Sequence, residues 1–209
     1  MKLMAGNAVI RVGDGRGFIV KDAGRARFGW RNERIVITAA HCLPSLSPWY
    51  PGSYSSERTY EALLGPLGQE PTVWAECLFV DPIGDIAVLG EPSHEDLLEQ
   101  STAYKALVMT VRPLRIADIP RETSAQLLSL EGEWFGCKVQ HINDGPLWIT
   151  DATKGIVGGM SGSPILADDG SAIGVVSVSG GRIDQLHTES GPNPRLAYHL
   201  PARFLPRFR

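Results

Sequence analysis

Short apolar runs, rich in β-branched residues, alternate along the whole chain with 23 glycines and 15 prolines, and no long periodic segment occurs. The first half carries Val9-Ile10-Arg11-Val12, Gly17-Phe18-Ile19-Val20, Arg34-Ile35-Val36-Ile37-Thr38, Thr72-Val73-Trp74, Leu78-Phe79-Val80 and Ile86-Ala87-Val88-Leu89. The second half adds Lys138-Val139-Gln140, Leu147-Trp148-Ile149-Thr150, Pro164-Ile165-Leu166 and Ile173 to Val178. Branched and aromatic side chains fit a pleated surface, and Gly and Pro end each run. The pattern predicts an all-β protein, barrel or sandwich. Two helices are expected: one capped around Ser93–Asp96 and running through Leu97, Leu98 and Tyr104, and a short C-terminal one over 201–208 that Pro206 disturbs. The stretch from about Glu91 to Pro120 is the expected connection between two strand-rich halves, and Pro44 to Arg58 reads as an exposed loop.

At 209 residues the chain is long enough for a sizeable core, as one larger all-β domain or two fused half-domains. A net charge of -3 argues against general nucleic-acid binding, and no apolar stretch approaches a membrane span. The three cysteines, Cys42, Cys77 and Cys137, are an odd, widely spaced set and form no disulfide framework. With no apolar signal-type run near Met1, the expectation is a reducing, cytoplasmic compartment. No Cys-x-x-Cys or His-Glu-x-x-His occurs, so no metal site is expected.

Three segments place a polar side chain at the edge of an apolar run. They are Ile35-Val36-Ile37-Thr38-Ala39-Ala40-His41-Cys42, Gly84-Asp85-Ile86-Ala87-Val88-Leu89 and Gly158-Gly159-Met160-Ser161-Gly162-Ser163-Pro164. A serine hydroxyl is a poor nucleophile until a base stands within hydrogen-bond reach and a third group fixes that base's tautomer. His41, Asp85 and Ser161 supply base, partner and nucleophile in the order His, Asp, Ser. The glycines around Ser161 open backbone conformations closed to other residues and leave the N–H groups of Gly159 and Ser161 free to hold an oxyanion. Singly, each motif has an ordinary structural reading: a histidine after a strand, a turn aspartate, a glycine-rich turn. An α/β-hydrolase esterase needs Gly-x-Ser-x-Gly and a histidine last in the chain, whereas position 163 is Ser and His41 comes first.

The chain resembles the trypsin-like (chymotrypsin-fold) serine proteases. Thr38-Ala39-Ala40-His41-Cys42, Asp85-Ile86-Ala87-Val88-Leu89 and Gly159-Met160-Ser161-Gly162-Ser163-Pro164 carry the likeness. Gly15-Arg16-Gly17-Phe18-Ile19 resembles the strand before the histidine motif, and Gly174-Val175-Val176-Ser177 the strand beside the substrate pocket. The resemblance spans residues 9 to 205. It implies two antiparallel six-stranded β-barrels (about 1–100 and about 115–209 of a single 1–209 peptidase domain), with the active site in the cleft between them. It implies a serine endopeptidase with catalytic His41, Asp85 and Ser161 and an oxyanion hole from Gly159 and Ser161. No cofactor is required and the partner is a protein or peptide substrate. By the same resemblance Ser177 hydrogen-bonds Asp85, and Ser177, Val178 and Ser179 pair with substrate backbone. The alternative is an inactive or latent module of the same fold that binds proteins.

The departures are informative. Met160 stands where secreted trypsins carry the aspartate that pairs with a processed N-terminus, so that activation switch is not expected. In this respect the chain resembles bacterial high-temperature-requirement proteases and glutamyl endopeptidases. Cys42 lacks its usual partner, since Asp14 or its neighbours stand there, and is expected as a free, buried thiol. By family pattern Gly155 or Ile156 forms the base of the primary pocket. Neither is acidic, which favours a small or apolar residue before the cleaved bond, with Asp151 close in sequence. An inward His199 would instead favour Glu, against a reading of His199 as a core or solvent residue. His94, His141 and His187 read as surface histidines. The basic C-terminal stretch Arg195, Arg203, Arg207 and Arg209 reads as a solvated end or a junction to a further domain or partner.

Overall fold

The computed structural model describes residues 8–21, 34–45, 55–177 and 187–205. In the first half, six strands close into an antiparallel barrel: β1 (Val9–Val12), β2 (Gly15–Lys21), β3 (Arg34–Thr38), β4 (Thr59–Pro66), β5 (Val73–Asp81) and β6 (Ile86–Gly90), in spatial order β1-β2-β3-β6-β5-β4. β1 and β4 complete the ring through Ile10 opposite Pro66 and Val12 opposite Leu64. The central strands β2, β3 and β6 are buried on both faces, which explains why they read as unbroken apolar runs and not as alternation. Phe18, Ile19, Val36, Ile37, Leu64 and Leu89 belong to one buried cluster built on the two faces of this sheet. Each such side chain stabilises the fold by about 1.5–3 kcal/mol on burial.

The connection expected between the halves carries α1 (Leu98–Thr110), entered through a 3-10 turn at Glu95–Leu97 where the His94 ring accepts the Asp96 N–H. Ser101, Tyr104, Leu107 and Val108 share its buried face, at helical spacing. The Tyr104 hydroxyl donates to the Arg34 carbonyl at 2.9 Å, and the Arg34 guanidinium caps the carbonyls of Val108 and Val111 at 2.6 Å. The helix is thereby fastened to β3 of the first barrel. The chain then crosses to the second half: Leu114 N–H bonds Ile19 of the first barrel, and Ala117 N–H bonds Ala172 of the second.

The second half is a curled antiparallel sheet of β7 (Glu122–Leu128), β8 (Trp134–His141), β9 (Leu147–Thr150), β10 (Pro164–Ala167), β11 (Ala172–Val175) and β12 (Ser190–Asn193), ordered β11-β10-β7-β8-β9-β12. Among the described residues its outer strands do not pair directly. The Val175 N–H instead reaches the Pro194 carbonyl just beyond β12, at 3.0 Å. A separate core of Leu127, Phe135, Val139, Ile149, Met160, Ile165 and Val176 lies beneath it.

Three strands lie outside the runs named from sequence, each for a physical reason. β4 contains a register shift between Tyr60 and Leu64, with Ala62 at φ 46°, so a bulge breaks its alternation. β7 is Glu-Thr-Ser-Ala-Gln-Leu-Leu, largely polar, and pairs over its full length with β8. β12 is Ser-Gly-Pro-Asn, a strand only because β9 offers it an edge. The C-terminal helix is α2 (Leu196–His199), earlier than the expected 201–208; 201–205 form turns and 206–209 lie outside the described residues. His141 is no surface histidine: it ends the inward-facing row of β8 and is 7% exposed.

Candidate active site

Each sequence motif ends at the junction of the two halves. β3 finishes at Thr38, and a 3-10 turn over Ala40–Cys42 presents His41 while burying Ala40 and Cys42. A turn over residues 82–85 leads into β6 and leaves Asp85 at φ 52°, a left-handed conformation that Asp tolerates better than most residues. The Asp85 carboxylate then spans the His41 residue. Oδ2 lies 2.8 Å from the ring Nδ1, and Oδ1 accepts the His41 main-chain N–H at 3.0 Å. The Ser177 hydroxyl, from the chain just beyond β11, donates to the same Oδ2.

These contacts set the electrostatics. The hydrogen bond with the Asp85 carboxylate raises the His41 imidazole above its ordinary pKa, outweighing partial burial, and the carboxylate's charge adds to it. Burial opposes the charge on Asp85. Hydrogen bonds from the His41 ring, Ser177 and the His41 N–H nevertheless hold Asp85 below the usual carboxylate value. The arrangement suits an imidazole whose Nδ1 carries the proton and whose other nitrogen is left to act as base.

Ser161 sits in the loop before β10, 7% exposed. Its carbonyl accepts the Arg16 N–H at 2.8 Å, and the next N–H, of Gly162, donates to Val176 at 2.8 Å. Gly162 has φ 81°, and a Cβ there would collide with the Arg16 carbonyl oxygen and stand 2.6 Å from Thr38 Oγ1. Only glycine lets this loop lie so close to β2 and to the strand that delivers His41. Ahead of Ser161, the Met160 N–H closes a turn onto Val157 at 3.3 Å, with Gly159 at φ 85°. Positive φ at the third position is what a type II turn requires. Among the described residues, neither the Gly159 N–H nor the Ser161 N–H has a protein acceptor. Met160 is fully buried in the second core, where its Sδ lies 3.5 Å from the Val157 N–H. Apolar packing therefore anchors the turn at the position where an ion pair is absent.

The remaining candidates fall in different places. The Ile156 N–H bonds the His187 carbonyl at 2.8 Å, and the Ile156 side chain packs into the second core, with Gly155 beside it. Asp151 is on the surface, paired with Lys138 at 3.0 Å. His199 is half-buried on α2, accepts the Arg195 N–H at 3.0 Å and packs on Gly84, next to Asp85 in sequence. Val178 and Ser179 lie outside the described residues, as do Arg207 and Arg209. Arg195 is buried and holds Asp118 at 2.5 Å and Asp144 at 3.2 Å, so it belongs to the fold and not to a solvated end. Cys42, Cys77 and Cys137 are free and buried; burial pushes the Cys42 thiol up to about 11. Gly15 faces Cys42, and a Cβ at Gly15 would strike its sulfur.

Two supporting residues had no sequence signal of their own. The buried Arg16 guanidinium donates to the carbonyls of Leu128 and Ser129, both at 3.0 Å, tying β2 to the end of β7. Asn193 is completely buried; its Oδ1 accepts the Ser177 N–H at 2.8 Å while its Nδ2 donates to Ser190 and Leu147. It fixes the backbone from which Ser177 reaches Asp85. Among the described residues, no group of three or more His, Cys, Asp or Glu side chains is placed to hold a metal, and no helix is long and apolar enough to cross a membrane.

No protein-family model and no curated protein matches the sequence. Solved structures do match the fold. The Rv3671c protease in its inactive form superposes with a TM-score of 0.52 at 16% identity, over 93% of this chain and 86% of that one. The MamO protease domain from Magnetospirillum magneticum, in its apo form, gives a TM-score of 0.51 at 16% identity, over 92% and 95%. At that identity the likeness is one of architecture. The chain has the chymotrypsin-like fold: a closed six-stranded barrel and a curled six-stranded half-barrel, with the His41–Asp85 pair and the Ser161 loop at their junction.

Proposed function

We propose that the protein is a serine endopeptidase working through His41, Asp85 and Ser161. The observation that carries this reading is the doubly bonded His41–Asp85 pair, reinforced by Ser177, facing a glycine-rich loop whose Gly159 and Ser161 N–H groups are unspent. In the proposed cycle the Ser161 hydroxyl attacks the scissile carbonyl and His41 takes its proton. The two N–H groups hold the oxyanion, each worth about 3 kcal/mol of barrier. His41 then protonates the leaving amine as the C–N bond breaks. Water, deprotonated by His41, releases the acyl-enzyme. No cofactor enters, and a protein or peptide is the substrate; by family pattern Gly155 or Ile156 stands at the pocket base, and the lack of an acid at either favours a small or apolar residue before the cleaved bond.

A second reading, a latent or non-catalytic module used for protein binding, draws on one observation. Among the described residues, no hydrogen bond joins the Ser161 hydroxyl to His41. Such bonds are often long in free enzymes and tighten on substrate. Labelling by a fluorophosphonate probe separates the two readings, with peptide-library cleavage run beside Ser161→Ala. Labelling and cleavage by the parent alone support the peptidase. Folded parent protein that neither labels nor cleaves supports the binding module.

A further inference from the structure

The left-handed Asp85 is a strained conformation for a residue with a Cβ, and such a conformation persists only where its surroundings enforce it. The enforcing contacts come from the turn before it. Asp81, the last residue of β5, turns its carboxylate back over its own chain. One oxygen, Oδ1, accepts the N–H groups of both Ile83 and Gly84, each at 3.0 Å. Pro82 fixes the first corner of this turn. Gly84 lies close against both the Asp81 carboxylate and the His199 ring. A Cβ at Gly84 would stand 2.5 Å from Asp81 Oδ2 and 2.7 Å from His199 Cδ2. His199 is itself held by the Arg195 N–H on its Nδ1, and Arg195 is locked to Asp118. The segment entering Asp85 is thus in contact with both groups at Gly84. It carries Ile83, whose side chain is 97% exposed and contributes no packing of its own. Polar and steric contacts at Gly84, and not apolar burial, therefore hold the turn.

We propose that Asp81 is a positioning residue for the His41–Asp85 pair: through its paired bonds to the Ile83 and Gly84 N–H groups it sets the backbone that aims the Asp85 carboxylate at His41. The role rests on the reading of His41 as the base, with Asp85 as its partner. Asp81 touches neither ring nor substrate and acts only through Asp85. Its contribution lies in its oxygen acceptor and not in its charge, because Oδ1 is spent on two neutral N–H donors.

The test is the proton NMR titration of the His41 imidazole, assigned by its loss in His41→Gln, in the full chain. Asp81→Ala frees the turn and is expected to lower the His41 midpoint by about one pH unit, since the carboxylate partner moves out of register. The accompanying kcat is expected to fall about tenfold with KM unchanged. Asp81→Asn retains a carbonyl acceptor and is expected to keep the parent midpoint. A folded Asp81→Ala protein with an unshifted His41 midpoint overturns the proposal, and so does an Asp81→Asn protein shifted as far as Asp81→Ala. Should Asp81→Ala fail to fold, Gly84→Ala, which forces the Asp81 carboxylate and His199 away, carries the same expectation, and an unshifted midpoint there overturns the proposal. The titration requires no turnover, and the Asp81→Asn arm separates the loss of charge from the loss of the acceptor. A parent protein without turnover would therefore remove the peptidase reading while leaving this result intact.

Discussion

The main-chain N–H of Arg16 donates to the carbonyl oxygen of Ser161 at 2.8 Å, so the peptide of the proposed nucleophile is bonded to a strand of the other barrel. The Arg16 carbonyl accepts the Thr38 hydroxyl at 2.6 Å, three residues before His41. Its guanidinium reaches across to Leu128 and Ser129. One residue of β2 therefore touches the strand delivering His41, the peptide of Ser161 and the frame of the second half.

Arg16→Ala should be costly for that reason. It removes two charge-assisted bonds to buried carbonyls, of which Ser129 keeps the Gly132 N–H at 3.2 Å, a loss of roughly 2–4 kcal/mol. Equilibrium unfolding in denaturant should show a lower midpoint of this size. A change within about 0.5 kcal/mol would mean that the guanidinium holds nothing that matters to the fold.

The titration of His41 sets a pH dependence. The imidazole must be neutral to accept a proton, and its pKa is raised by the Asp85 hydrogen bond. Turnover should therefore rise with pH through a midpoint above the ordinary imidazole value. Asp85→Asn should lower kcat by about 10⁴-fold. The stability linkage has two edges. The raised His41 value stabilises the fold fully below the unfolded imidazole's pKa, and that contribution is lost as pH rises through the folded value. The lowered Asp85 value contributes above the unfolded carboxylate's pKa and is lost as pH falls through the folded value. Thermal melts of the parent and Asp85→Asn should converge as pH falls through the folded Asp85 value, and should differ less above the folded His41 value than between the two.

Two glycines of the nucleophile loop should respond differently to alanine. At Gly162 a Cβ meets the Arg16 carbonyl, backbone that cannot step aside, so Gly162→Ala should not yield a folded, probe-reactive protein. At Gly159 the nearest atom is Leu130 Cδ2 at 3.4 Å, and only the positive φ is strained. Gly159→Ala should fold with a loss of about 1–2 kcal/mol, visible as a lower Tm.

Met160 gives a test of how the loop is anchored. Met160→Leu conserves volume in an apolar site and should cost less than about 1.5 kcal/mol. Met160→Asp places a carboxylate, with no cation supplied, where the parent side chain is fully buried in the second core, and should cost several kcal/mol. A Met160→Asp protein as stable as the parent in chemical denaturation would show that a cation reaches this position.

Much of the barrel was legible because its central strands are short, branched and unbroken: the runs at β2, β3 and β6 carry their burial in their composition. The strands that escaped notice are those whose pairing comes from elsewhere. β7 is polar and held by β8, β4 is bent by a bulge at Ala62, and β12 has no apolar residue at all. The candidates His41, Asp85 and Ser161 stand in short motifs legible in the sequence, whereas the supporting residues Arg16 and Asn193 do not. An arginine in a strand and an asparagine between two prolines have many uses, and distant backbone decides among them.

Order along the chain, residue type and the placement of glycine were thus settled by local chemistry: which side chains branch, which peptide can take a positive φ, which motif offers a base, a carboxylate or a hydroxyl. Distances were not. That Asp85 spans His41 at 2.8 Å, that Ser177 arrives from the opposite half to share the carboxylate, and that the Arg16 N–H reaches the Ser161 carbonyl depend on how two β units meet. Such contacts arise between residues far apart in sequence, and only the burial of both cores together brings them within hydrogen-bond reach.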